Sequence, residues 1–200
     1  PSERAAVFEV DFSRTSRQEE RWIIVDAFDG NSELEQIDSH TLAGISRKNS
    51  GGVPANFANY FIVRFTEPIL RLVHQELKGK GGKHTLVAVN LSAEKQGTPT
   101  TFYAASSFIS REQAQNNLRE VQERSFRQVS EEGRAEWEKQ LHRIAVSDSP
   151  ERMRTFYSCL YRSLLFPRRF YEISPSGKPI HYSPYNGEVH SGYLYTDTGY

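Results

Sequence analysis

Apolar residues change their spacing about halfway along the 200-residue chain, near residue 109. Before that point they fall in short dense runs broken by polar turns. Trp22–Phe28 reads as a buried strand, closed by the turn residues Asp29, Gly30 and Asn31. The stretch from Ser46 to Asn56 is rich in Gly, Ser and Asn and reads as a loop. Tyr60–Phe65 supplies a second strand, stopped by Pro68. His84–Leu91 and Thr100–Phe108 supply two more. Strands with no helical crossover between them predict an antiparallel sheet or sandwich. The Gly-rich stretch Gly79–Gly82 is a turn rather than a phosphate loop, because it lacks the Gly-Lys-Ser/Thr ending and a following helix.

After residue 109 the spacing becomes helical. Ser110 and Gln113 are placed as a capping box, and Ala114, Leu118 and Val121 fall on one helical face. Val129, Trp137, Leu141 and Ile144 extend that pattern toward residue 145 through a heavily charged region, with Gly133 as its weak point. So long and sparsely apolar a stretch suits a connector packed on two neighbours. A further helix opens at Ser149-Pro150, serine as cap and proline in the first turn. It carries Phe156, Tyr157, Leu160, Tyr161, Leu164 and Leu165 and stops at Pro167. A face this wide needs helical partners, and the rest of the chain supplies none.

Composition narrows the class. Apolar residues make up 37% and aromatics 12%, so phenylalanine and tyrosine must build much of the core. Twenty-five basic residues balance twenty-five acidic ones, which leaves no broad electrostatic footprint for nucleic acid. No apolar run approaches the roughly 20 residues of a membrane span. The single cysteine, Cys159, excludes an internal disulfide; in an apolar helical stretch it reads as a buried, unreactive thiol.

The densest chemistry lies in the last twenty residues, where tyrosines, histidines and carboxylates alternate with glycines. Such a mixture suits a surface that grips a sugar. Glu188 and Asp197 could be the acid and base of a glycosidase, which needs two carboxylates flanking one bond, or simply solvated loop acids. Asp197 alone could bind substrate or cap a helix. His181 and His190 could ligate a metal, although they lack a short fixed spacing, or hydrogen-bond to backbone or ligand. Tyr182, Tyr185, Tyr193 and Tyr195 could stack on sugar rings or close a domain wall. Arg162, Arg168 and Arg169 are basic, and a helix-end dipole accounts equally well for the last two.

Three stretches share a pattern with a known family. Ser107–Leu118, Thr155–Arg168 and Gly192–Tyr200, with Tyr60–Pro68 before them, resemble glycoside hydrolase family 92, the exo-acting α-mannosidases. The resemblance runs in order from about residue 20 to the end, and the helix signature and the Thr-Asp-Thr-Gly-Tyr ending are its specific parts. It implies the later part of an antiparallel N-terminal β-sandwich over residues 1–109, a helical linker over 110–148, and the start of an (α/α)6 catalytic barrel over 149–200. It implies a calcium-dependent, inverting hydrolysis of terminal α-linked mannose, α-1,2 above all, on glycans that are met outside the cell or in the periplasm.

The same resemblance implies that Thr196, Asp197, Thr198, Gly199 and Tyr200 form one wall of the substrate site. It places the catalytic acid and base, most calcium ligands and a sugar-binding Trp-Asp pair beyond Tyr200, in the remainder of a parent polypeptide. Residues 1–200 alone are then expected to be inactive. The other reading of the chain is a non-catalytic sandwich module that binds glycans or a protein.

Overall fold

The computed structural model describes residues 1–12, 21–92 and 99–196. Eight strands make two antiparallel sheets. The larger has five strands in the order β1 (Ala5–Val10), β8 (Thr100–Ser107), β5 (Asn59–Phe65), β4 (Thr41–Ser46) and β3 (Glu33–Asp38). The smaller has three, in the order β2 (Trp22–Asp26), β7 (Gly82–Leu91) and β6 (Ile69–Gly79).

Strand alternation makes the five-stranded sheet the middle of three layers. Side chains at successive positions point to opposite faces, and here both faces are apolar. Leu34, Leu42, Val63 and Phe65 point toward Val87, Val89 and Leu91 of the small sheet and form the sandwich core. Val7, Ala43, Ile62, Tyr103 and Ala105 point the other way, against Ala114, Leu118, Val121 and Val129 of the helical segment. This is why Tyr60–Phe65 reads as a continuous apolar run: it is covered on both sides. Gly44 pairs with Phe61, and a Cβ there would lie 2.1 Å from that ring, so only glycine lets the ring lie flat across β4.

Four strands, β1, β3, β4 and β6, lie outside the sequence prediction. In β3 and β6 most side chains are exposed, so their polar residues hide the period-two signal. Pro68 precedes β6 rather than ending the sheet, and a bulge between Ile69 and Arg71 breaks the alternation that would have marked it. The Gly79–Gly82 stretch is the tight turn between β6 and β7, as expected. It is clamped by Asp29, which accepts hydrogen bonds from the backbone N–H of Gly81 at 2.6 Å and of Gly30 at 2.8 Å and meets Lys48 Nζ at 3.3 Å. The Gly81 amide above all, then Gly30 and Lys48, holds the Asp29 carboxyl below its ordinary value of 3.8 against the opposing effect of desolvation.

A depressed folded-state pKa contributes stability above the unfolded value and loses it as pH falls through the folded one. Acid titration below about pH 4 is therefore expected to cost wild-type protein more stability than Asp29→Asn. Denaturant midpoints measured from pH 6 downward check this, and parallel curves for the two proteins would refute it.

The helical segment departs from one long connector. Helix α1 (Arg111–Asn117) is capped by Ser110, whose hydroxyl accepts from Gln113 N at 3.1 Å. The Gln113 side chain is drawn away to Asn117 and Ile173, so the other half of the expected box is absent. A 3-10 turn at Leu118–Glu120 and a left-handed Glu123 (φ 66°) break the helix. A complete capping box, Ser125 with Gln128, then opens α2 (Phe126–Leu141), which runs through Gly133 unbroken.

Helix α3 (Pro150–Ser163) opens on Ser149 as expected. It touches α2 through Trp137 and Tyr161, whose ring centroids are 4.6 Å apart, yet none of its side chains is buried. Cys159 is accordingly exposed, not buried. It lies off the stripe of Met153, Phe156, Tyr157 and Leu160, and the described residues place nothing over it.

Candidate functional site

Past α3 the chain folds back on the end of the sandwich as two small sheets. One holds β10 (Glu172–Ile173), β11 (Pro179–Tyr182) and β12 (Val189–Ser191); the other pairs β9 (Arg168–Arg169) with β13 (Tyr195–Thr196). Aromatic rings make the junction. Phe108, at the end of β8, stacks on Phe57 with centroids 5.6 Å apart and on Phe170 at 4.9 Å, while Tyr182 meets Phe57 edge-on at 5.9 Å.

Inside this seam Glu172 is buried, and its carboxylate accepts from Phe108 N at 2.9 Å and from Asn117 Nδ2 at 2.7 Å. Asn117 also donates to Ser106 O, and its own Oδ1 accepts from Gln113 Nε2. Gln113 and Asn116 both donate to Ile173 O, at 2.7 and 2.8 Å. A buried charge is tolerated where hydrogen bonds satisfy it, and these bonds tie strand, helix and C-terminal segment into one unit.

A second tie runs through Arg4. Its guanidinium pairs with Glu120 at 2.8 Å, donates to Tyr171 O at 3.0 Å and lies 5.4 Å from the centre of the Tyr171 ring. Glu3 meanwhile pairs with Arg169. Glu172, Asn117, Arg4 and Tyr171 did not stand out in the sequence as functional residues. The available signals were a carboxylate inside the aromatic run Phe170–Ile173 and two amides, Gln113 and Asn117, at i and i+4 on the apolar face of a helix.

The proposed site residues are spread along this segment. Thr196 sits in β13, paired with Arg168. Asp197, Thr198, Gly199 and Tyr200 lie outside the described residues. Glu188 is exposed on the β11–β12 hairpin, where its carboxylate accepts from Asn186 at 3.1 Å and lies 3.7 Å from His190. His181 and His190 face each other across the two strands, ring centroids 5.8 Å apart. The first bonds to Gly192 O through Nδ1, the second to the Asn186 side chain.

Calcium takes six to eight oxygen donors. Among the described residues no group of three or more His, Cys, Asp or Glu side chains is placed to hold a metal.

The tyrosines divide into two kinds. Tyr182 is buried and donates its hydroxyl to Asn56 Oδ1 at 3.2 Å; burial, then the neighbouring Tyr60, pushes its pKa up. Asn56 also holds the hairpin tip, donating to Gly187 O at 2.8 Å. Gly187 has φ 78°, and a Cβ there would lie 2.3 Å from Asn56 Oδ1. Tyr185, Tyr193 and Tyr195 are instead displayed to solvent, 90%, 64% and 52% exposed.

Residues 113–200 match the model of the glycosyl hydrolase family 92 catalytic domain. The family GH92 inverting mannosidase BT2199 of Bacteroides thetaiotaomicron VPI-5482 aligns with 98% of the chain at 38% identity, with a TM-score of 0.85. The chain belongs to glycoside hydrolase family 92. Two further structures share its fold at 19% identity over 98% of the chain. They are the family GH92 α-mannosidase BT3965 of Bacteroides thetaiotaomicron, with a TM-score of 0.75, and the GH92 family hydrolase ccman5, with 0.71. No curated protein matches. The chain spans 27–28% of the length of these three family 92 proteins. Membership accounts for the architecture, an antiparallel sandwich followed by the helical start of a catalytic domain. No helix among the described residues is long and apolar enough to cross a membrane.

Proposed function

We propose that these 200 residues are part of an α-mannosidase that removes terminal α-linked mannose, with α-1,2 linkages preferred, from glycans outside the cell or in the periplasm. The observation that carries this reading is the 38% identity, maintained over 98% of the chain, with an inverting mannosidase. Residues 1–109 are the later sandwich, 110–148 the linker, and 149–200 the opening of an (α/α)6 barrel whose remaining helices cover the apolar face of α3. Thr196, Asp197, Thr198, Gly199 and Tyr200 wall the pocket for the terminal mannose.

Inverting hydrolysis sets one carboxylic acid to protonate the leaving oxygen and a second carboxylate to activate water on the opposite face of the ring. Both groups, and most of the calcium ligands, belong to the remainder of the catalytic domain. The part assigned to this chain is positional. The Glu172 and Arg4 networks hold the segment around Tyr171 and Glu172 against the sandwich.

The polypeptide that continues through the whole catalytic domain is expected to release mannose from α-1,2-mannobiose when supplied with calcium. The first-formed product should be the β-anomer by proton NMR. A chelator should abolish turnover and added calcium restore it, whereas residues 1–200 alone should release none. Absence of mannose release by the calcium-supplied whole enzyme would overturn the reading.

A further inference from the structure

Tyr193 and Tyr195 flank one buried ring. Tyr171, 9% exposed, meets Tyr193 edge-on with centroids 4.9 Å apart and planes at 90°, and meets Tyr195 at 5.7 Å and 71°. Tyr171 is itself held by Arg4, from the other end of the sequence. Edge-to-face contacts of this kind fix the orientation of the rings. Both outer rings are more than half exposed, and neither phenol oxygen makes a hydrogen bond among the described residues. Tyr182, thirteen residues before Tyr195, shows how the same segment treats a structural tyrosine: its ring is buried and its hydroxyl donates to Asn56.

Two oriented rings, each more than half exposed, suit a saccharide, which offers an apolar C–H face and a rim of hydroxyls. Tyr195 opens β13 and Tyr193 lies just before it, and contact with the same Tyr171 ring holds both rings near one another for a saccharide to meet. The neighbouring Arg169, opposite Tyr195 in the register, is paired with Glu3. The patch runs directly into Thr196 along β13. We propose that Tyr193 and Tyr195 form the platform for the sugar on the leaving-group side of the scissile bond. This rests on the reading of residues 196–200 as the wall around the terminal mannose. That sugar needs an enclosing pocket, whereas half-open rings just outside it suit the unit leading to the rest of the glycan.

The test uses the whole calcium-supplied enzyme with two substrates. α-1,2-Mannobiose has a sugar leaving group; α-mannosyl fluoride has none. Tyr193→Ala, Tyr195→Ala and the double variant should lower kcat/KM for mannobiose about tenfold or more relative to that for α-mannosyl fluoride, mainly through KM. Tyr195→Phe, which keeps the ring, should retain most of the mannobiose activity. Parallel losses on both substrates would place the tyrosines in the mannose pocket or in folding, and no change on either would remove them from the substrate path; each result overturns the platform. If the wild-type enzyme hydrolyses neither substrate, the α-mannosidase reading fails with it. If wild type is active and the variants lack the split, only the platform fails.

Discussion

Glu172→Ala is expected to destabilise the protein by about 3–5 kcal/mol. Its largely buried carboxylate serves two donors, Phe108 N and Asn117 Nδ2. Hydrogen bonds to a charged group contribute about 1.5–3 kcal/mol each, and removing the acceptor leaves both donors unsatisfied. The damage should centre on the junction. Because Asn117 also braces Ser106 and, through Gln113, Ile173, amide exchange should quicken in β10–β12 and at the start of α1 before it does in the sandwich. Glu172→Gln keeps the shape and one acceptor oxygen, so it should fall between wild type and alanine. Denaturant unfolding with residue-resolved hydrogen exchange decides the matter. A loss below about 1 kcal/mol, or one spread evenly over the fold, would show that the aromatic seam alone makes the joint.

Phe65→Ala should cost a similar 3–5 kcal/mol by a different route. The ring is 1% exposed, lies between the two sheets and packs on Phe102 at 5.6 Å between centroids. Its removal opens a cavity that two hydrogen-bonded sheets cannot close by moving together. Here protection should fall throughout β4, β5, β7 and β8, and the junction should follow rather than lead. An equilibrium loss under about 1.5 kcal/mol would mean that the sandwich collapses around the gap. The contrast between these two variants separates the stability of the sandwich from that of its joint with the catalytic segment.

Much of the fold is legible in the chain because it depends on local pattern. Val87, Val89 and Leu91 alternate cleanly and define β7. Ser149 with Pro150 marks the start of α3 because a cap and a fixed φ act on the first turn alone. Where side chains serve distant partners, the pattern is silent. Gln113 looks like the second half of a capping box, but its amide goes sixty residues along the chain to Ile173. β6 escapes the sequence pattern because, although it carries ten registered pairs with β7, most of its side chains stay in water. Cys159 appears buried on helical apolarity, yet nothing among the described residues covers that side of α3.

The candidate site follows the same division. The concentration of tyrosine, histidine and carboxylate after residue 180 is visible in the sequence, and so is the family signature that runs through it. Which tyrosines build and which are displayed is not, since Tyr182 and Tyr185 stand three positions apart in one polar run. Only the neighbour decides. Asn56, from a sandwich loop 126 residues earlier, takes the Tyr182 hydroxyl, and no group among the described residues does so for Tyr185.

By itself, then, the sequence determined the family, the antiparallel strands with strong alternation, and the capped start of each major helix. Those features rest on interactions within a few residues or on a motif read in order. Tertiary structure decided the three-layer packing, the burial of Glu172, and the hold of Arg4 on Tyr171 that leaves Tyr193 and Tyr195 open. These depend on partners brought together by folding, 55 residues apart for Asn117 and Glu172 and 167 apart for Arg4 and Tyr171. No periodicity or propensity encodes contacts at that range.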